Sequence, residues 1–379
     1  MMKYFIKKCL IIILSNILKL FWFFKIRENL ILFISFNGKQ VSGCPKHIYD
    51  YIRDRYNKNN DLQLCWLLRR ENLHLFEMEN ITTVDQVSLR GLYLLLTAKF
   101  IITNDRLDSY IPIRNDQVLV NTWHGGGLFK KTHSNSLTKD QRAYVQWLDR
   151  RDAKRTSLYI SGSKAWTNKV VRQTFGYSGS VSNTGSPRND IFFNQPRTEI
   201  KKRLGISEMD GIILFAPTYR SANINDHEKL MIDRCIKIWE CREKKRFRFL
   251  YRGHHNSIGV NVLGDYQDVT NFPDMQGLLS ISDVFISDFT SALWDFSISM
   301  KPSFIFAPDI DEYNKTNGFE SDFHSWPFKI AKNNNDLANN MHEYDQAVYR
   351  NLIDRYHKNY QSVENRNATE RAVRAIFKI

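Results

Sequence analysis

Four short stretches of this chain combine residue types that can hold and move a phosphate group. Asp288-Phe289-Thr290-Ser291 sets a carboxylate and two hydroxyls between an apolar run, Val284 to Ile286, and a helical one, Ala292 to Met300. A hydroxyl-rich helix start presents unpaired backbone N–H groups and the positive end of the helix dipole to an anion. The same string also satisfies an ordinary capped helix. Trp123-His124-Gly125-Gly126-Gly127 follows the strand-like run Gln117 to Thr122. Three glycines let the backbone approach a ligand and turn its N–H groups inward, and a histidine can act as acid or base near neutral pH. A tight turn with a surface histidine is the competing reading. Pro217-Thr218-Tyr219-Arg220 and Arg252-Gly253-His254 close two more apolar runs, Gly211 to Ala216 and Phe247 to Tyr251. Arginine suits bidentate recognition of phosphate.

The elements that must position these groups alternate. Strand-like runs at 29–36, 62–68, 81–84, 100–103, 117–122 and 157–161 are separated by helical patterns at 46–57, 88–98, 139–154 and 163–174. After the turn-rich, poorly periodic stretch 181–190 the alternation restarts, with strands at 211–216, 247–251, 268–270, 284–286 and 303–306. Helices are expected at 228–241, 275–281 and 292–300. Such alternation predicts α/β architecture of the doubly wound kind, in two domains. In a parallel sheet the carboxyl ends of the strands share one edge, so the four stretches are expected to line one cleft between the domains.

Composition narrows the ligand. A chain of 379 residues predicts two domains of ordinary size, and 42% hydrophobic residues supply cores for both. The net charge of +14 asks for an anionic partner. Nucleic acid is disfavoured, because the basic residues are scattered and no nucleic-acid-binding signature is present. Five cysteines without a C-x-x-C pair point to reduced thiols in a cytosolic compartment and away from zinc. The dinucleotide and P-loop glycine patterns are absent, and His254-His255 point to opposite faces of a strand, so no metal or cofactor is expected. Cys9 to Phe24 is almost wholly apolar, with Lys3, Lys7, Lys8, Lys19, Lys25 and Arg27 around it and no acid before Glu28. It predicts an amphipathic helix lying in the surface of an anionic membrane, on the cytoplasmic face. A single uncleaved anchor and a buried core helix are the alternatives.

TWHGGGLFKK, TGSPRND, FAPTYR, YRGHH and ISDFTSALWDFSISMKPSFIFAPDIDEY, in that order, resemble the motif series of the CDP-glycerol glycerophosphotransferase family, the teichoic-acid primases and polymerases that also occur in capsule synthesis. NLILFISFNGK followed by KHIYDYI resembles the start of the family's first domain, so the likeness runs from Asn29 to Tyr313. The resemblance implies a GT-B fold: two Rossmann-like doubly wound domains facing a central cleft. With the N-terminal helix it gives residues 1–27 as the membrane-associating segment and 28–185 as the acceptor-side domain. Residues 186–345 are then the CDP-glycerol domain, and 346–379 the closing helices that return toward the first domain. It implies transfer of glycerol phosphate from CDP-glycerol to a lipid-linked saccharide or a growing polymer, with release of CMP, by a peripheral enzyme of the cell membrane.

The same resemblance gives the donor contacts as His124, Gly125, Gly126, Gly127, Leu128, Arg188, Pro217, Thr218, Arg252, Gly253, His254, Thr290, Ser291 and Asp295; of these, His124 is expected to be catalytic as general base and His254 by neutralising the diphosphate. Two departures stand out. The family usually reads H-G-T-P where this chain has Gly126-Gly127, and Pro where His255 stands. No large domain precedes Asn29, which resembles the short, primase-like members. Transfer from CDP-ribitol, transfer of a sugar from a nucleotide sugar, and a non-enzymatic membrane-surface protein are the competing functions.

Overall fold

A computed structural model describes residues 2–57, 59, 61–79, 81–194, 197–218, 229–253 and 262–378. The chain divides into two units, one of Met1–His124, Leu137–Asp190 and Gln361–Ile379, the other of Gly125–Ser136 and Ile191–Tyr360. The change of unit thus falls after Asp190, beside the expected 185/186, and the closing segment is shared between the units. The bonds of the turn-rich stretch give the reason. Asp190 accepts hydrogen bonds from the N–H groups of Ala368 (2.9 Å) and Thr369 (2.8 Å), and Ser186 is held through its N–H and hydroxyl by Glu364. This ties residues 186–190 to the end of the chain.

In the first unit the strands are β1 (Arg27–Ile34), β2 (Gln63–Leu68), β3 (Thr83–Asp85), β4 (Ala98–Thr103), β5 (Val118–Asn121), β6 (Leu158–Ser161) and β7 (Ser180–Asn183). The helices are α1 (Met2–Lys19), α2 (Gly43–Arg55), α3 (Leu89–Thr97), α4 (Lys139–Arg155) and α5 (Lys164–Trp166), the last running on as a π-helical turn, Thr167–Thr174. All seven strands are parallel, in the order β3-β2-β1-β4-β5-β6-β7. Alternate residues of central β1 serve opposite faces. Ile31 and Phe33 pack with Ile48, Ile52 and Trp66, while Leu30, Leu32 and Ile34 pack with Leu94, Leu95 and Leu67. A strand covered on both faces needs an unbroken apolar run, which is how Leu30 to Ile34 reads.

The second unit begins with α6 (Ile191–Asn194) and α7 (Arg197–Arg203), then β8 (Gly211–Phe215), β9 (Leu230–Met231), α8 (Ile232–Glu243), β10 (Phe247–Tyr251), β11 (Val262–Leu263) and β12 (Gln267–Asp268). It continues through α9 (Met275–Ile281), β13 (Val284–Ser287), α10 (Ala292–Ser297), β14 (Ser303–Phe306), α11 (Ile310–Thr316), β15 (Lys329–Ala331), α12 (Asn334–His342) and α13 (Gln346–Asn359). Six parallel strands lie in the order β12-β10-β8-β13-β14-β15, and β9 pairs with β11 apart from them. Helix α14 (Ala368–Ile376) belongs to the first unit, where Ala372, Val373 and Ile376 enter the core on the Ile31 face.

Helix α1 rests on α4 through Tyr4 against Tyr144 (ring centroids 5.1 Å) and buries only Ser15 and Leu18. Phe5 (66% exposed), Ile13 (54%), Leu20 (73%) and Phe23 (73%) face outward, so this is not a buried core helix. No helix among the described residues is long and apolar enough to cross a membrane.

Candidate functional site

In the first unit the ends of three neighbouring strands build one imidazole's surroundings. After β5, Asn121 Oδ1 accepts from the Trp123 N–H (2.8 Å), and Trp123 takes a left-handed conformation (φ +49°), uncommon for a bulky residue. Its indole stacks on His124, with ring centroids 4.6 Å apart. His124 Nδ1 lies 2.8 Å from the carbonyl oxygen of Asn104, which follows β4. A carbonyl can only accept, so Nδ1 carries a proton, and in the neutral ring the lone pair is on Nε2. Asn104 is itself fixed by the ends of β1: its Oδ1 accepts from the Phe36 N–H (2.7 Å) and its Nδ2 donates to Ser35 Oγ (3.0 Å). The Phe36 ring packs against the imidazole at 5.8 Å. Ser35 and Asn104 escaped the sequence reading, and Trp123 entered it only as the start of the glycine turn. Their signal was position, each standing just beyond a strand.

The chain passes to the second unit between His124 and Gly125. A Cβ on Gly125 would lie 3.3 Å from Ser291 Oγ, and one on Gly126 would meet the Trp294 indole at 2.7 Å. Beside Gly127 the Phe129 ring fills the same space. The departures from H-G-T-P therefore have a steric reason, since the room a side chain needs is occupied by these two rings. Beyond the glycines, the loop is pinned where Ser321 Oγ donates to the Leu128 carbonyl (2.6 Å) and the Glu320 N–H to that of Phe129 (2.7 Å).

Because β8 lies between β10 and β13, the polar groups after these strands become neighbours. Asp288 (2% exposed) accepts from the N–H (3.0 Å) and hydroxyl (2.8 Å) of Thr218 and from the Phe289 N–H (2.6 Å). Asp288 is thus the carboxylate that organises the Pro217-Thr218 turn, a role its place in a capping string had concealed. Arg252 donates its N–H to the Phe215 carbonyl (2.9 Å) and its guanidinium to that of Phe272 (2.6 Å). Burial lowers the Arg252 pKa from the usual guanidinium value, against the opposing charge of Asp274. The Gly253 N–H is taken by Thr270 Oγ1 (2.9 Å).

Helix α10 ends at Ser297, short of the expected Met300, because three-residue bonds tighten the chain after Phe296 and Met300 turns left-handed (φ +57°). Thr290 Oγ1 accepts from the Ala292 N–H (3.2 Å), whereas Ser291 stands at the N-cap position without using its side chain as a cap. Asp295 is buried (4% exposed) and accepts from Gln276 Nε2 (2.9 Å). Behind the glycine loop, His357 packs on Trp294 at 4.6 Å, with its Nε2 2.8 Å from Ser297 Oγ. The Ser297 hydroxyl itself donates to the Trp294 carbonyl (2.6 Å).

Arg188, expected in the second domain, lies in the first unit, 5% exposed, with its guanidinium donating to Cys44 Sγ (3.4 Å). His254 and His255, with Tyr219 and Arg220, lie outside the described residues. Within the second unit the structure brings Gly125 to Ser291 and Thr218 to Asp288, with Arg252 just beyond β10, the strand next to β8.

Two parallel sheets, each with polar groups gathered just beyond its strand ends, define an α/β protein of the doubly wound class. The family model for CDP-Glycerol:Poly(glycerophosphate) glycerophosphotransferase matches residues 16–378, and the chain belongs to that family. It is 29% identical over 343 residues to a teichoic acid poly(glycerol phosphate) polymerase of Bacillus spizizenii, covering 85% of this chain and 84% of that protein. It is 26% identical over 369 residues to a teichoic acid glycerol-phosphate transferase of Staphylococcus aureus, covering 93% of each. The fold is shared with the solved structure of the wall teichoic acid polymerase TagF, at TM-score 0.78 and 23% identity over 100% of this chain and 96% of that one.

Proposed function

We propose that this chain, by family a CDP-glycerol glycerophosphotransferase, moves glycerol phosphate from CDP-glycerol to a hydroxyl of a lipid-linked saccharide or a growing teichoic-acid or capsule polymer. The observation that carries the mechanism is the Nδ1 bond of His124 to the Asn104 carbonyl, which in the neutral ring leaves the lone pair on Nε2. His124 Nε2 takes the proton of the acceptor hydroxyl as its oxygen attacks the β-phosphorus of CDP-glycerol. The bond from that phosphorus to the bridging oxygen breaks, CMP leaves with the oxygen, and a phosphodiester forms. Arg252, the Gly125–Gly127 backbone and Ser291 are the groups we assign to the diphosphate, and Thr218 is held in place for it by Asp288. His254 is assigned to the leaving phosphate on the motif alone. The GT-B arrangement, in which residues of both units serve one donor, is part of the proposal.

The enzyme works as a peripheral protein on the cytoplasmic face of the cell membrane. Support comes from the outward apolar side chains of α1 and Leu20–Phe23 and from the lysines among them. His124→Ala lowers transfer, read as CMP release with acceptor present, by about 10²–10⁴-fold while CDP-glycerol still binds. Unchanged turnover overturns the base assignment. Equal or faster CMP release from CDP-ribitol overturns the donor.

A further inference from the structure

Opposite the chemistry, the first unit carries a cavity of about 670 Å³ under the amino-terminal ends of β1 and β2. Arg27 is the first residue of β1 and Gln63 the first of β2, whereas His124 follows the carboxyl end of β5. In one parallel sheet these are opposite edges, so the cavity is not part of the donor site. Arg27, Arg53 and Arg90 line it, with Tyr49, Tyr93 and Cys65, and no carboxylate among the described residues does.

The three cations differ in what they already hold. Arg53 is paired with Asp50 and Asp54 on its own helix. The Arg27 guanidinium donates only to the neutral Gln63 amide, and that of Arg90 makes no hydrogen bond or ion pair among the described residues. Burial pushes the Cys65 thiol up to about 11, and the charges of Arg90 and Arg27 oppose that rise, which places both guanidiniums by the same wall. Two uncompensated cations in a concave site mark it for an anion.

The surroundings say which anion. Tyr93 meets Phe24 edge-on at 5.2 Å, and Arg114 clamps the carbonyls of Phe24 (2.8 Å) and Phe21 (3.3 Å). The cavity wall is thereby joined to the outward-facing turn Leu20–Phe23. Leu20 and Phe23, each 73% exposed, therefore put an apolar surface on the chain just before Arg27. A water-borne phosphate has no use for an apolar rim, but an amphiphile does.

We propose that this cavity is a second ligand site, which takes the phosphate of an anionic phospholipid headgroup while the Leu20–Phe23 turn enters the acyl boundary. The assignment rests on the membrane-surface reading above and adds a specific headgroup site to it. The full chain is titrated calorimetrically with dihexanoylphosphatidylglycerol below its micellar range, with dihexanoylphosphatidylcholine and with inorganic phosphate. Saturable binding is expected for the first alone. Arg27→Gln/Arg90→Gln weakens it by about tenfold or more, while the charge-matched Lys202→Gln/Lys237→Gln stays within about twofold. Arg90→Gln alone carries the test should the double variant fold poorly, because Arg90 is exposed and unbonded. Equal binding of inorganic phosphate or of the zwitterionic lipid, or equal losses in the two double variants, overturns the site. Sedimentation with phosphatidylglycerol vesicles separates the two readings. If the wild type sediments with none, the membrane reading fails; if it sediments and only the arginine effect is missing, the cavity assignment alone fails.

Discussion

His124 and His357 show how one residue type is set to two tasks. His124 is held from behind by a carbonyl, with its ring stacked on Trp123, which orients the imidazole for the base role proposed for it. His357 is buried against Trp294, and burial drives its pKa down to about 4, with Asp354 opposing. Its pKa in the unfolded chain is near 6.5, so between these values the unfolded chain binds the proton and the folded one does not. The contribution of His357 to stability is therefore complete above about pH 6.5 and is lost as pH falls toward 4. Over the window this amounts to about 3 kcal/mol. Urea unfolding at pH 7.5 and pH 5 is expected to show the loss, and His357→Asn to flatten it. An equal slope in the variant would remove the role assigned to this imidazole.

At the scale of elements, the glycine loop and helix α10 form one packed pair. Gly126→Ala drives a methyl into the Trp294 indole and is expected to lower stability by about 1–3 kcal/mol and to lower transfer with it. Replacing the indole by a smaller ring, Trp294→Phe, restores part of the loss, so a double-mutant cycle in thermal unfolding gives a coupling of about 0.5 kcal/mol or more. Strictly additive effects show that the two elements do not share the space. Helix α10 itself is shorter than its sequence pattern predicts, because Ser297, Ser299 and Met300 close tight turns where apolar periodicity alone reads on as helix. Asp288 holds Thr218 across adjacent strands, a bond no local pattern can announce, since its partners lie 70 residues apart.

For the whole molecule, the end of the chain completes its beginning. Helix α14 puts Ala372, Val373 and Ile376 into the core of the first unit, and Asp190 and Glu364 fasten it there. Removal of Gln361–Ile379 is expected to cost the first unit about 5 kcal/mol or more, on the scale of its whole stability, while the second unit keeps its hydrogen-exchange protection. A truncated chain whose first unit melts unchanged overturns this. The sequence by itself determined the alternation of strands and helices, because strands covered on both faces must be continuously apolar and the turns between them polar. It also determined which residues follow the strand ends, and hence the glycine loop at His124, the Thr218 turn, Arg252 and Thr290-Ser291. Only the tertiary structure decided what each of these touches. It gave the carbonyl behind His124, the carboxylate holding Thr218, the rings that exclude side chains from Gly126 and Gly127, and the placing of Arg188 in the first unit. Periodicity records which face of an element is buried, but those contacts join segments far apart in the chain and depend on strand order, which no local pattern encodes.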